Sequence, residues 1–301
     1  MRAVRYHEYG DPQVLNVEEA PEPHAGPGQV RIRAAAASVN PVDWKYRAGY
    51  LAEMMPRQFP VIPGYDAAGV VDEVGEGASD VGVGDTVLGL AASGGTAEHV
   101  ILSAWAPVPE KWNLQEAAGA GFAGATAVRT LNLVGLSAGQ TLLVEGAAGG
   151  VGSIAAQVAV ARGLSVIGTA SETNHDYLRS IGVVPTTYGP GLPARVAELA
   201  PAGVDGALDT AGSGSLTDLI SLVDQPGKVV SIADYAAPSL GARFDDGSTG
   251  APAQALSELT GLGTAGQLQI AVAETFPAEQ AAEAHALSQT GHVRGKVVIT
   301  L

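Results

Sequence analysis

The residues best able to do chemistry are the glycines of Leu142-Leu143-Val144-Glu145-Gly146-Ala147-Ala148-Gly149-Gly150-Val151-Gly152-Ser153-Ile154. An apolar run enters a glycine-dense turn and leaves it as a helix-compatible stretch. Glycines at 146, 149 and 152 allow a tight bend, keep Cβ atoms off a pyrophosphate and let helix and strand approach closely. A helix starting near Gly150 would aim unpaired N–H groups and its positive dipole end at phosphate. Gly146, Ala148, Gly149, Gly150, Val151 and Gly152 are therefore the candidate phosphate-binding residues. The spacing is G-x-x-G-x-x-G rather than G-x-G-x-x-G, so the strand–turn–helix context carries the reading; an alanine-glycine packing turn is the alternative.

Which dinucleotide binds is decided after the next strand, where Asp or Glu would hydrogen-bond the ribose 2′-OH of NAD. Here the strand ends Gly168-Thr169-Ala170-Ser171, with no carboxylate at its tip. Ser171, Asn174 and His175 instead offer a hydroxyl, an amide and an imidazole to a 2′-phosphate. Glu172 shares that loop and no Lys or Arg comes before Arg179, which works against a dianionic phosphate. Ser171 as a helix cap and His175 in solvent are the plain alternatives. The reading favours NADPH over NADH.

The elements that must position these groups are legible in the hydrophobic pattern. Strands at Thr141–Glu145, Leu164–Thr169, Gly206–Asp209 and Lys228–Ile232 alternate with helices through about Arg162 and around Asn174 to Ile181. Continuous apolar runs between helices predict strands buried on both faces, hence a parallel sheet of βαβ units. The preceding residues differ: Gln29–Arg33, Ala67–Val74 and Asp85–Leu90 alternate or run as short strands, with Gly75, Gly77, Gly82 and Gly84 as turns between them. That texture predicts a compact, barrel-like β-rich domain. Leu114–Leu133 and Pro277–Thr290 are alanine-rich and helix-compatible, and Gly295–Leu301 closes the chain as a strand. The fold class is α/β, with a β-rich domain up to a boundary near residue 115, a parallel sheet of βαβ units after it, and a tail of different texture.

Composition narrows the function. The 301 residues carry 16 Lys+Arg against 31 Asp+Glu, a formal charge of −15, which argues against a sequence-independent grip on nucleic acid or anionic lipid. Hydrophobic residues make up 46% and charged residues 16%, so a large core is expected and disorder is not. The absence of cysteine removes disulfides, thiolate zinc sites and cysteine nucleophiles together. The six histidines do not cluster with carboxylates at ligand spacing, so no metal site is read. The N-terminus lacks a secretory apolar run and no stretch of about 18 apolar residues occurs, so a cytoplasmic protein without membrane segments is expected.

Two further segments, Ala37-Ser38-Val39-Asn40-Pro41-Val42-Asp43-Trp44-Lys45-Tyr46-Arg47-Ala48-Gly49 and Val61-Ile62-Pro63-Gly64-Tyr65-Asp66-Ala67-Ala68-Gly69, resemble the zinc-independent medium-chain dehydrogenase/reductases, and within them the quinone oxidoreductase-like enzymes. The glycine turn, Val204–Thr210 and Gly291–Val298 fit the same family, so the resemblance spans essentially the whole chain. It implies a GroES-like substrate domain over residues 1–115 with about 267–301, a Rossmann domain with a doubly wound parallel sheet over 116–266 inserted before that C-terminal return, a cleft between the two, NADPH as hydride donor, and a homodimer. Zinc-dependent relatives place Cys and His ligands where this chain has Asn40–Asp43 and Gly64-Tyr65-Asp66. Without a Lewis acid, alcohol oxidation at neutral pH is hard, whereas reducing a quinone or an α,β-unsaturated carbonyl needs a positioned hydride and a proton.

The resemblance also implies roles. Asn40, Asp43 and Lys45 would line the cleft floor near the nicotinamide: Asn40 orienting a carbonyl or carboxamide, Asp43 holding Lys45 or Arg47, Lys45 contacting cofactor ribose or phosphate. A surface turn with Trp44 packed is the alternative for Asp43–Lys45. Tyr46, Tyr50 and Tyr65 are candidates to hydrogen-bond or protonate a developing enolate oxygen, since a phenol can do either; packing at a core edge, or solvent as the proton source, remains open. Thr126 and Ile232 resemble neighbours of the nicotinamide, and Tyr188 a position flanking the phosphate or adenine end. Gly295 and Lys296 resemble a segment folding over the cofactor, with Lys296 as an edge-strand charge the alternative. Three functions are compatible: an NADPH-dependent quinone or enone reductase, an enoyl reductase of polyketide or fatty-acid metabolism, and a non-catalytic NADP(H)-binding redox sensor. The intact Asn40, Lys45 and Thr126 favour catalysis over sensing.

Overall fold

The computed structural model describes residues 1–301, which divide by contact into two units. The first comprises Met1–Ala123, Pro252–Gly266 and Ile270–Leu301; the second comprises Gly124–Ala251 and Gln267–Gln269.

The first unit opens with β1 (Arg2–Arg5) and β2 (Asn16–Glu19), an antiparallel pair. The ten-residue strand β3 (Val30–Val39) follows, then the short helix α1 (Pro41–Arg47), then β4 (Asp66–Val74), β5 (Thr86–Ala91) and β6 (His99–Pro107). Helix α2 (Leu114–Val134) comes next, its residues up to Ala123 grouping with this unit. Strand β3 pairs antiparallel with β4, and its first four residues also pair with β6, so β3–β4–β5–β6 closes on itself as a small barrel. Closure explains the small residues in these strands. A Cβ on Gly69 would lie 2.1 Å from the Arg33 carbonyl oxygen, and one on Gly89 2.3 Å from that of Ala104. Val30, Ile32, Val71, Val87, Val100 and Leu102 fill the interior.

The second unit is built as β7 (Thr141–Glu145), α3 (Gly150–Ala161), β8 (Ser165–Thr169), α4 (His175–Ser180), β9 (Val184–Thr186), α5 (Leu192–Leu199), β10 (Gly206–Asp209), α6 (Leu216–Ser221), β11 (Val229–Ser231) and β12 (Arg243–Phe244). All pairings are parallel and the strand order is β12-β11-β10-β7-β8-β9. Counted from β7, this is 6-5-4-1-2-3, the doubly wound dinucleotide-binding order, with the switch point between β7 and β10. Leu143, Ile167, Ala207 and Val229 are buried among helix residues Leu192, Val196, Leu216 and Leu219, which is why the strands read as unbroken apolar runs.

The chain then returns to the first unit through α7 (Pro252–Ala265), β13 (Val272–Pro277), α8 (Ala281–Gln289) and β14 (Lys296–Thr300). The family resemblance places this return at about residue 267. The contact division begins it with α7, whose Gly263 lies so close to Trp112 that a Cβ there would sit 2.5 Å from the indole. Pro277 ends a strand rather than starting the last helix, and β14 is flanked by β13 and β3, so Lys296 does not lie on a sheet edge.

Candidate functional site

In the second unit, β7 delivers the chain to Gly146 (φ +75°), and α3 begins at Gly150 with Gly149 as its N-cap. The first helical amides have no partner within the helix and point outward at the carboxyl edge of the sheet, beside the β7–β10 switch point. A Cβ on Gly152 would stand 2.2 Å from the Gly146 carbonyl oxygen, so glycine there permits the turn itself. A Cβ on Gly149 would meet only that oxygen, at 3.3 Å, and otherwise project into open space. The turn is a cradle that a Cβ would fill, and it fits a dinucleotide pyrophosphate.

The strand ends around this turn are tied by buried acids that sequence reasoning did not single out. The Thr169 hydroxyl donates to Glu145 Oε2 at 2.9 Å, Ser213 Oγ donates to Oε1 at 2.7 Å, and the Gly146 N–H donates to Thr169 Oγ1 at 3.1 Å. Asp209 accepts from the N–H groups of Ala211 and Gly212 and, at 2.7 Å, from the Ser231 hydroxyl. Each acid ends a strand, so a connected set of bonds fixes the turn after β7 and the loops after β10 and β11. A lone Glu before a glycine and a lone Asp at a strand end have no local signature of this linkage.

The other expected cofactor residues of this unit are placed as follows. Ser171 Oγ lies 3.0 Å from Thr173 Oγ1 and accepts from Asn174 Nδ2 at 3.0 Å. His175 starts α4, and its Nε2 is buried without a hydrogen-bond partner rather than in solvent. Tyr188 is half exposed in the loop after β9, where its carbonyl accepts from Arg195. Ile232 directly follows β11, its N–H donating to Asp209 O at 3.1 Å. Thr126 is buried on α2 and accepts from Arg129 Nη2 at 3.4 Å; Arg129 is itself paired with Asp245 at 2.9 Å.

In the first unit, α1 brings a second set together. Asn40 is its N-cap and Pro41 its first residue, a position where the missing proline N–H costs nothing. Asp43 reaches back to accept the Asn40 N–H at 2.7 Å and also takes the Gly64 N–H at 3.2 Å. The expectation that Asp43 holds Lys45 or Arg47 is therefore corrected: one oxygen closes the N-terminal cap of α1 on Asn40 and the other ties the helix to the loop at Gly64. Arg47 donates to Gly10 O and Gln289 Oε1, and Lys45 lies 5.8 Å from the centre of the Trp44 ring. Burial pushes the Asp43 carboxyl up to about 7, against the two backbone donors, and lowers the Lys45 ammonium.

Asn40 also anchors a buried polar cluster. Lys296 Nζ donates to Asn40 Oδ1 at 2.5 Å, and Asn40 Nδ2 faces Ser38 Oγ and Asp66 Oδ1, both at 3.3 Å. Ser38 Oγ donates to Asp66 Oδ1 at 2.7 Å, and the Phe122 N–H donates to Oδ2 at 2.7 Å. Asn40 is 2% exposed and Lys296 4%, so both side chains are held inside this cluster. Burial raises the Asp66 carboxyl and lowers the Lys296 ammonium, while each favours the charged form of the other. Gly295, just before β14, has φ +77° and a Cβ there would lie 2.1 Å from Ala271 O.

The tyrosines sit beside this cluster. Tyr46 and Tyr65 have ring centres 6.4 Å apart, and Tyr65 stacks 5.0 Å from Phe122. Tyr46 Oη lies 2.9 Å from Met55 Sδ, and burial holds the Tyr65 phenol well above its ordinary range. Tyr50 is 67% exposed and packs edge-on to Trp44.

The family profile described as Alcohol dehydrogenase GroES-like domain matches residues 26–131, and that described as Zinc-binding dehydrogenase matches residues 191–299. A quinone-oxidoreductase QR1 from Triphysaria versicolor is 30% identical over 99% of this chain and 98% of its own length. A chloroplast envelope quinone oxidoreductase homolog from Arabidopsis thaliana is 35% identical over 60% of this chain, a match that spans 59% of that relative. Among solved structures, the quinone oxidoreductase from Coxiella burnetii superposes with a TM-score of 0.85 at 30% identity, covering 100% of this chain and 99% of that one. A mycobacterial protein complexed with NADPH gives a TM-score of 0.85 at 26% identity, covering 100% of both chains.

Fold and glycine turn together define the medium-chain dehydrogenase/reductase class. Within it, this chain belongs to the quinone oxidoreductase family and is an oxidoreductase of the nicotinamide-dependent type. One profile's description raises zinc. The residues do not fit that ion: the chain has no cysteine, and no three His, Asp or Glu side chains are grouped to hold a metal. No helix is long and apolar enough to cross a membrane.

Proposed function

We propose that this chain is an NADPH-dependent reductase that delivers a hydride to a quinone or an α,β-unsaturated carbonyl without a metal ion. The observation that carries the reading is the Gly146–Gly152 turn at the carboxyl edge of β7, beside the switch point of a six-stranded parallel sheet. Reduced nicotinamide dinucleotide held there supplies the hydride. Gly146, Ala148, Gly149, Gly150, Val151 and Gly152 would cradle its pyrophosphate, with Thr126 and Ile232 toward the nicotinamide. The choice of NADPH is supported by the β8 end, where Thr169 turns inward to Glu145 and Ser171 and Asn174 follow with neutral donors. The relative solved with NADPH bound points the same way.

The acceptor class is supported by the donor set. Asn40, Tyr65 and Asp66 stand in the motifs that hold metal in zinc-dependent relatives, and none of them is a thiolate or an imidazole. A conjugated acceptor needs a positioned hydride and a proton. Asp43 and Asn40 cap α1 and so set where Lys45 and Tyr46 emerge, while the phenols of Tyr46 and Tyr65 serve as hydrogen-bond donors to an acceptor oxygen that gains charge.

Titration with NADPH and NADH, followed by loss of reduced-nicotinamide absorbance against a panel of quinones, enones and saturated aldehydes, tests this. Tighter binding of NADPH, turnover confined to the conjugated acceptors, and indifference to chelator are expected. Preference for NADH, or activity abolished by chelator, overturns the corresponding half of the reading.

A further inference from the structure

Arg57 differs from the arginines of the chain that are neutralised by acids. Arg2, Arg31, Arg129 and Arg179 each pair with a carboxylate, as expected in a chain with nearly twice as many acids as bases. Arg57 pairs with none. Its guanidinium carbon lies 4.0 Å from the centre of the Tyr46 ring, and its Nη2 donates to Tyr65 Oη at 2.7 Å. Its backbone is anchored too, the Arg57 N–H donating to Tyr9 Oη at 3.0 Å. The fork is thus held by a ring beneath it and a phenol at one nitrogen, leaving Nε, Nη1 and one Nη2 hydrogen unused.

Arg57 is exposed, with one aromatic face against it. Tyr46, Tyr65 and Phe122 form a row of tilted rings, and Met54 and Met55, 66% and 56% exposed, place pliable thioethers in the same segment. Tyr65 Oη accepts from Arg57 and is also hydrogen-bonded to the Tyr46 side chain, so the two phenols hold each other and the guanidinium in place. An unpaired guanidinium with a free planar edge matches a carboxylate in two parallel hydrogen bonds, a geometry an ammonium does not offer. The aromatic row beside it suits a flat conjugated body.

We propose that Arg57, seated on the Tyr46 ring and held by Tyr65 Oη, forms an anion-recognising edge of the acceptor site and selects flat conjugated acceptors carrying a carboxylate next to the ring. This rests on the reductase reading for the word acceptor; the binding preference itself does not. Arg57 is a specificity-determining residue here, and it takes no part in the hydride step.

The test is calorimetric titration of the full chain with anthraquinone-2-carboxylate and its neutral methyl ester. Wild type is expected to prefer the carboxylate by about tenfold or more, a preference that shrinks as salt is raised. Arg57→Gln brings the ratio near unity, and Arg57→Lys, which keeps the charge and loses the fork, falls between. Far-ultraviolet circular dichroism confirms that both variants fold. A ratio unchanged in Arg57→Gln, a wild type without preference, or no binding of either compound overturns the proposal. Turnover of the ester by wild type with no Arg57 effect removes this inference and leaves the reductase reading standing. The reverse pattern, an Arg57-dependent preference without turnover of any acceptor, removes the reductase reading alone.

Discussion

Lys296 Nζ donates to Asn40 Oδ1 at 2.5 Å, joining the first residue of the last strand to the N-cap of the first helix across 256 positions of sequence. The amide orientation is thereby fixed: an ammonium can only donate, and the Asp66 carboxylate beyond Nδ2 can only accept while ionised. The two charges never touch directly; the amide and the Ser38 hydroxyl lie between them. Removing one member should leave the other buried and uncompensated. Lys296→Met is expected to destabilise the protein by roughly 3–5 kcal/mol, with Lys296→Met/Asp66→Asn recovering a large part of that loss. Urea unfolding of the two singles and the double completes the cycle; strict additivity would mean the residues are energetically independent.

The glycine turn separates two demands that a single substitution usually mixes. Gly152→Ala places a Cβ 2.2 Å from the Gly146 carbonyl and should lower thermal stability along with dinucleotide affinity. Gly149→Ala meets only one atom, at 3.3 Å, and should unfold within a few degrees of wild type while binding NADPH at least about tenfold more weakly. Thermal scans with and without NADPH read both. Equal NADPH affinity in Gly149→Ala and wild type would move the phosphate site elsewhere.

Two buried groups in the first unit pull stability in opposite directions with pH. Burial raises Asp43 to about 7, so the native state holds its proton where the unfolded chain has lost it; the associated stability is full below about pH 4 and is lost as pH rises through 7. Burial, helped by Arg47, lowers His285 to about 3, so its contribution is full above about pH 6.5 and is lost as pH falls toward 3. Between about pH 4 and 6.5 the slopes from Asp43 and His285 have opposite signs and offset each other. Asp43→Asn should expose a stability that climbs with pH in that window, and His285→Leu one that declines. Chemical unfolding at half-unit steps checks the signs; a variant profile parallel to wild type rules out the assignment for that residue.

Glu145 ties the phosphate turn to β8 and to the loop after β10 through Thr169 and Ser213. Ser213→Ala cuts only the loop arm and leaves Thr169 and Gly146 in place. It is expected to speed amide exchange at residues 211–215 and to weaken NADPH binding a few-fold, with global stability changed by about 1 kcal/mol or less. Unaltered exchange in that loop would show that the Glu145–Ser213 bond does not order it.

Much of this molecule is written locally. Unbroken apolar runs between helical stretches specify a parallel sheet because strands covered on both faces have no polar side to show. The turn at Gly146–Gly152 is legible because only glycine accepts both the positive φ at 146 and the carbonyl packed against 152. Zero cysteines bear on metal chemistry before any coordinate is known. Other features leave no trace in the chain itself. Asp43 as a helix cap, Lys296 as an interior ammonium and Arg57 as an unpaired fork each depend on partners supplied by another strand or loop. The pairing of β3 with β4 on one side and β14 on the other brings Ser38, Asn40, Asp66 and Lys296 to one buried point, and no spacing rule links residues 40 and 296. Local pattern reports which backbone a segment prefers. Long-range hydrogen bonds and burial decide what charge and orientation each side chain keeps, and those depend on the whole fold at once.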